Sequence, residues 1–210
     1  MPNYLNLQTW PRTDHFHFFR QFDDPFFGVC VEVDCTEIYR RSKDSGISFF
    51  LLYLHKALVA INRTEPFRYR IVGEEVIVHD TVGASPTISR PDGTFGFSYI
   101  PYAGDFQEFE RQAKAEMERV RFSKGLIPAN SSENVVHFSS LPWLKFTSLS
   151  HARNYGGGDS IPKISFGKVT EQNGRQVMPV SIHVHHALMD GYHVGKFVEL
   201  FQELLDEIKS

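Results

Sequence analysis

Long apolar runs are missing from this chain: nothing in it approaches the ~20 consecutive apolar residues that a membrane-spanning helix needs. The N-terminus, Met1-Pro2-Asn3-Tyr4, lacks the basic and then apolar regions of a secretory signal. Cysteine is scarce, and the two present, Cys30 and Cys35, have neither metal-ligand nor redox-motif spacing. They are expected to be small buried hydrophobes in reducing surroundings. There is no basic excess, and a net charge of -3 offers no broad field for nucleic acid or an anionic membrane. Repeats, linkers and low-complexity segments are absent, including the hexapeptide repeats of a left-handed β-helix. The run Gly156-Gly157-Gly158 is not followed by the Lys-Ser or Lys-Thr of a phosphate-binding loop. What remains is the expectation of a cytoplasmic globular protein, with residues 1–210 as one domain.

Phenylalanine, by contrast, is plentiful, at 19 of 210 residues. Several sit beside turns, where aromatic-walled pockets form as well as cores. The most informative stretch runs from Val177 to Gly195. It begins as an alternating, β-branched run, is broken at Asp190-Gly191, and continues with apolar residues at helical spacing. Strand, tight loop and helix follow from that pattern. The two-residue period of a strand puts Val180, Ile182, Val184 and His186 on one face, with Ser181, His183 and His185 on the other. His186 therefore falls in phase with the buried apolar side chains, at the open end of the strand. Partial desolvation there favours the neutral ring and makes it a candidate base. A lone histidine in that place would more simply cap the strand.

In chain order, Trp10 to Arg20 reads as a short helix starting near Pro11 and Arg12. Pro25 to Asp34 reads as a strand. Thr36 can cap one helix and Ser48 a second, Phe49 to Ile61, which is apolar on nearly every side and so should be the most buried. Phe67–Ile71 and Val76–His79 pair as a hairpin, and Pro86–Ser89 with Thr94–Ile100 form another around Pro91-Asp92-Gly93. Asp105 caps a long polar helix to about Phe122. Asn134–Ser140 is a strand, as is Pro162–Val169, which meets the Val177 strand across Gln172-Asn173-Gly174. The last helix, Val194 to Ile208, carries Phe197, Leu200, Phe201, Leu204 and Ile208 on one stripe. Helices and strands mix without βαβ alternation, so the fold class is α+β with a largely mixed or antiparallel sheet.

The word His185-His186-x-x-x-Asp190-Gly191 resembles the active-site signature that chloramphenicol acetyltransferases share with the catalytic cores of dihydrolipoyl acyltransferases. Tyr192-His193-Val194-Gly195 matches the chloramphenicol branch. Trp10-x-Arg12-x-x-His15-Phe16, Phe67-Arg68-x-Arg70 and Pro142-Trp143-x-x-Phe146-x-Ser148 run parallel to that family in order and spacing. On these residues the chain is identified as a member of the chloramphenicol acetyltransferase family. The resemblance implies a two-layer sandwich with a mixed sheet flanked by helices. It also implies acetyl transfer from acetyl-CoA to a hydroxyl of chloramphenicol or a similar small acceptor, through a ternary complex and without a metal. A homotrimer with active sites between subunits is implied as well.

Residue by residue, the resemblance makes His186 the general base, oriented by its own backbone carbonyl, and Ser148 the donor to the oxyanion. Asp190, paired with Arg12, supports the site. Phe19, Phe27, Phe95 and Asp23 fall in the acceptor pocket, Ser165 near the transition state and Lys168 near the coenzyme phosphate. Some positions depart from the family. Phe19 stands where a drug-bonding tyrosine is usual, and Asp23 replaces an apolar contact residue. Ser48 replaces a lysine and Val169 a tyrosine near the coenzyme. These changes support acetyl transfer better than chloramphenicol as the acceptor.

The residues fit the chemistry on their own terms. Transfer from a thioester to an alcohol needs a base, an oxyanion donor and a cavity that excludes water. No covalent intermediate is required, so no nucleophilic serine or cysteine is expected. A buried Asp190 needs a cationic partner, which the Arg12 guanidinium supplies in bidentate form, and the same aspartate can cap the last helix. Other readings are a dihydrolipoyl acyltransferase core, for which the lipoyl domain and Ala/Pro-rich linkers are missing, and a trimeric ligand-binding relative with a decayed site. A metal site from His183, His185, His186 and Asp190 is disfavoured by strand phase.

Overall fold

Ser48 starts the central helix: its Oγ faces the Leu51 N–H at 3.5 Å, and Phe49–Arg63 (α3) follows with ten buried residues, Leu51 to His55 and Ala57 to Ile61. Such a helix is stable only when it is surrounded, because each buried Leu or Ile contributes about 1.5–3 kcal/mol. The computed structural model, which describes residues 3–126, 133–152 and 158–207, surrounds it with a sheet and further helices.

The other helices are Thr13–Phe19 (α1), Thr36–Ser45 (α2), Phe106–Arg121 (α4) and Gly191–Asp206 (α5). The strands are Asn3–Tyr4 (β1), Phe26–Asp34 (β2), Tyr69–Val72 (β3), Glu75–Val78 (β4), Gly83–Ser89 (β5), Phe95–Phe97 (β6), Val135–Ser140 (β7), Lys163–Phe166 (β8), Thr170–Gln172 (β9) and Arg175–His185 (β10). The main sheet has seven strands in the order β2-β10-β8-β7-β5-β6, with β9 also on β10. It is mixed: β5, β7 and β8 run parallel to their neighbours among themselves, while β10 is antiparallel to β2, β8 and β9. A three-stranded sheet, β1-β4-β3, stands beside it. Among the described residues no helix is long and apolar enough to cross a membrane.

β10 has the phase that its sequence predicts. Val180 pairs with Val31 and Phe166, Ile182 with Val29 and Ile164, and Val184 with Phe27, and this face packs with α3 and α5 in the main core. Ser181 and His183 turn to the other face, where His151 stands edge-on to His183 at 5.0 Å. Gly28 makes room there, since a Cβ on it would lie 2.4 Å from His183 Nε2. A second, smaller core joins Phe16, Tyr69, Val76, Ala187 and Leu188, with Trp10 and Phe19 packed against it. That cluster fixes α1 and the small sheet to the loop after β10.

Arg70 ties the same region to β7. Fully buried, it donates to the carbonyls of Phe67, Tyr69, Glu133 and Val135. Burial lowers its pKa to about 9, with Asp159 and Glu133 opposing the shift.

Several boundaries differ from the sequence pattern. Residues Glu65–Arg68 form a tight 3-10 turn with Pro66 at its head, so the strand begins only at Tyr69. The expected strand Pro162–Val169 is cut to β8, ending at Phe166, and β9 begins only at Thr170. Gly167 marks the break, where a Cβ would meet Pro179, Phe146 and the Leu144 carbonyl at 2.6–2.9 Å. Thr36 is the first residue of α2 rather than its cap, and Asp34 Oδ1 accepts from its N–H at 2.9 Å. Ile208 and most of the triple-glycine run lie outside the described residues.

Candidate active site

β10 ends at His185, and His186 is the first residue of the turn that follows. Its N–H donates to the Pro25 carbonyl at 2.8 Å, which anchors the turn to the start of β2. The ring keeps to the Val184–Phe27 side: Phe27 lies 4.7 Å away, tilted by 47°, and Phe19 stacks on it at 3.9 Å and 13°. His186 is thus clamped between aromatic rings from α1 and β2.

Its Nδ1 lies 3.2 Å from the Met189 carbonyl. A carbonyl only accepts, so in the neutral ring the proton sits on Nδ1 and the Nε2 lone pair is free. Nε2 has no hydrogen-bond partner among the described residues. The resemblance implied orientation by the histidine's own carbonyl. Here that carbonyl accepts from Arg12 Nη2 at 3.2 Å instead, and Met189 holds the ring.

Asp190 gathers three groups. Oδ2 takes Arg12 Nη1, and Oδ1 takes the Tyr192 N–H at 3.1 Å and His193 Nδ1 at 2.8 Å. A carboxylate cannot donate, so Nδ1 of His193 carries the proton, and its 3.2 Å approach to the Asp190 N–H is then not a hydrogen bond. Burial pushes the Asp190 carboxyl up, but Arg12, His193 and the Tyr192 N–H together outweigh it and hold the pKa below the ordinary range. Asp190 is both ion-pair partner and cap of α5. In the sequence His193 stands out only within the family match, although its place three residues after a cap is the capping-box spacing.

This arrangement can hold a proton acceptor in one tautomer and one orientation. The deciding observation about its ancestry is a match to the family model "Chloramphenicol acetyltransferase" over residues 2–202. The chain belongs to the chloramphenicol acetyltransferase family. It is similar to chloramphenicol acetyltransferase 3 of Escherichia coli, at 30% identity over 95% of this chain and 95% of that protein. The chloramphenicol acetyltransferase of Staphylococcus aureus is 31% identical, over 97% and 95%. A solved chloramphenicol acetyltransferase superposes with a TM-score of 0.91, at 30% identity and 98% and 100% coverage. A probable dihydrolipoamide acetyltransferase of Listeria monocytogenes shares the fold, with a TM-score of 0.70 at 17% identity and 94% and 92% coverage. Membership of the chloramphenicol acetyltransferase family points to an acyltransferase with acetyl-CoA as co-substrate.

The single chain brings together only part of the expected site. His186, Arg12, Asp190, Phe19 and Phe27 form one group. Ser148 makes no hydrogen bond to this group; it is exposed in the irregular segment 141–150, without a hydrogen-bond partner among the described residues. Phe95 and Lys168 line a cavity of about 750 Å³ with Phe49, Tyr53 and Trp143. Asp23 lines a depression of about 500 Å³ with Phe22, Asp24, Phe26, Asp159 and His185. Ser165 is wholly buried, its Oγ 3.3 Å from His151 Nε2, so direct contact between that hydroxyl and a substrate is blocked in this arrangement. Nothing local in the sequence announced His151, which comes from a different segment. Among the described residues no group of three or more His, Cys, Asp or Glu side chains is placed to hold a metal ion.

Proposed function

We propose that this protein is an acetyl-CoA dependent O-acetyltransferase acting on a small hydroxylated acceptor, chloramphenicol or a related molecule, through a ternary complex. The observation that carries this reading is the His186 ring, stacked on Phe19 with Nδ1 on the Met189 carbonyl and Nε2 open. In the reaction Nε2 takes the acceptor's hydroxyl proton while that oxygen attacks the thioester carbonyl. Ser148 donates to the oxyanion that forms, and collapse of the tetrahedral intermediate expels the coenzyme thiolate, which recovers the proton from the imidazolium. Arg12 and Asp190 keep the turn in place.

In this reading, supported by the family resemblance and by the lack of any hydrogen bond between His186 and Ser148 within one chain, the complete site is assembled from two copies in a homotrimer. His186 of one copy then faces the cavity of the next. Thiol release from acetyl-CoA, followed across hydroxylated acceptors including chloramphenicol, tests the chemistry. Acceptor-stimulated release by the wild type, lost in His186→Ala and in Ser148→Ala, is expected. Refolding those two inactive chains together should restore part of the activity, since some mixed interfaces then carry both intact groups. Acceptor-independent release alone would favour a ligand-binding relative, and a mixture that stays inactive would place the whole site in one copy.

A further inference from the structure

The cavity of about 750 Å³ differs in charge from several other depressions on the described surface. Three of those mix carboxylates with cations: Glu37, Asp44 and Glu207 in one, Asp23, Asp24, Glu133 and Asp159 in the next, Glu65, Glu199 and Glu203 in the last. The large cavity has no carboxylate in its wall. Its charged groups are Lys168, in the connection between β8 and β9, and Arg121, the last residue of α4. Two cations facing one cavity without a counter-charge repel each other, and a bound anion removes that repulsion.

Neither cation is committed elsewhere. The carboxylate paired with Arg121 is Glu118 at 3.7 Å, with the two side chains 47% and 62% exposed, and a pair so hydrated contributes little. Lys168 is exposed and has no ion pair among the described residues. Apart from the two cations much of the wall is aromatic and aliphatic, with Phe49, Tyr53, Phe95 and Trp143. An apolar arm ending in phosphates matches that distribution, and the volume falls within the usual range for ligand pockets.

We propose that Arg121 is the second cation of an anion-binding end of this cavity and, with Lys168, takes the phosphate groups of the acyl donor. The proposal rests on the acetyl-CoA reading above. A guanidinium presents a planar fork that takes two phosphate oxygens at once, whereas the lysine acts as a point charge. Being the last residue of α4, with its side chain half-exposed, Arg121 also reaches the cavity without bringing a buried charge with it.

Calorimetric titration with coenzyme A itself tests this without any acceptor. Arg121→Ala should weaken binding by roughly five- to tenfold, Arg121→Glu by more, and Arg121→Lys by less than either. Pantetheine, which has no nucleotide phosphates, should bind all four proteins alike, and a falling affinity with salt should be steeper for the wild type than for Arg121→Ala. Equal coenzyme A binding by wild type and Arg121→Glu would overturn the proposal alone. So would an equal weakening of pantetheine, which would assign Arg121 a packing role. A wild type that binds no coenzyme A would overturn the proposal together with the acetyl-CoA reading. Melting curves of the variants confirm that each is folded.

Discussion

The ring of Phe19 lies parallel to that of His186, 3.9 Å away and 13° from coplanar. One face of the imidazole is thereby covered, and the ring cannot tip toward α1.

Removing that cover should affect turnover more than binding. Phe19→Ala leaves Nδ1 on the Met189 carbonyl but opens space on the stacked face, so Nε2 samples positions off the productive line. Misplacement of a reacting group by about 1 Å can reduce rate by roughly a hundredfold. The expected outcome is a fall in kcat of about tenfold or more, with a smaller change in KM. Steady-state kinetics on an accepted substrate decide it, and an unaltered kcat would mean that Met189 alone orients the ring.

Asp190→Asn isolates charge from capping, because asparagine caps a helix about as well as aspartate. The wild-type carboxyl has its pKa held below the ordinary range, so its stabilising charge is present at neutral pH and is lost as pH falls through that lowered value. Asp190 is 34% exposed, and after solvent screening about 1 kcal/mol is at stake. The variant should melt lower than wild type at pH 7 and converge with it in acid. Melting curves across pH would show curves that stay parallel if the ion pair contributes nothing.

His137 sets a separate acid limit. Burial and the nearby Lys163 push its pKa down to about 4, with Arg70 adding to the shift and Asp159 opposing it. An unfolded chain takes up this proton near the ordinary histidine value of 6.5, while the folded chain stays neutral until about 4. Stability therefore falls as pH drops between those values, by at most about 3 kcal/mol. His137→Gln should flatten that part of the profile, which urea midpoints measured from pH 7 down to pH 4 would reveal. An identical slope in the variant would assign the loss to other groups.

The features legible in the sequence are those decided locally. Asp105 accepts from the Glu108 N–H at 2.9 Å and starts α4 as its residue type requires. The alternation from Val180 to Val184 sets the phase of β10, whereas the partnership of Arg12 with Asp190, distant in sequence, is legible only through the family resemblance. What stayed hidden depends on distant chain. Gly167 breaks a strand because Pro179, Phe146 and Leu144 close in on it. Ser165 is covered by a histidine fourteen residues earlier, and the carbonyl that selects the tautomer of His186 belongs to Met189, a position where any residue would offer one. The parallel pairing of β5, β7 and β8 likewise leaves no trace in short-range pattern.

The Met189 carbonyl also decides where His186 can be chemically marked. A neutral imidazole offers two nitrogens to an alkylating reagent, and solution chemistry uses both. Here one nitrogen is committed to a peptide oxygen and the ring is stacked against Phe19, so an electrophile entering the site would attach at Nε2 and leave a single regioisomer. A turn of four residues thus imposes a regiochemistry that the free amino acid does not have.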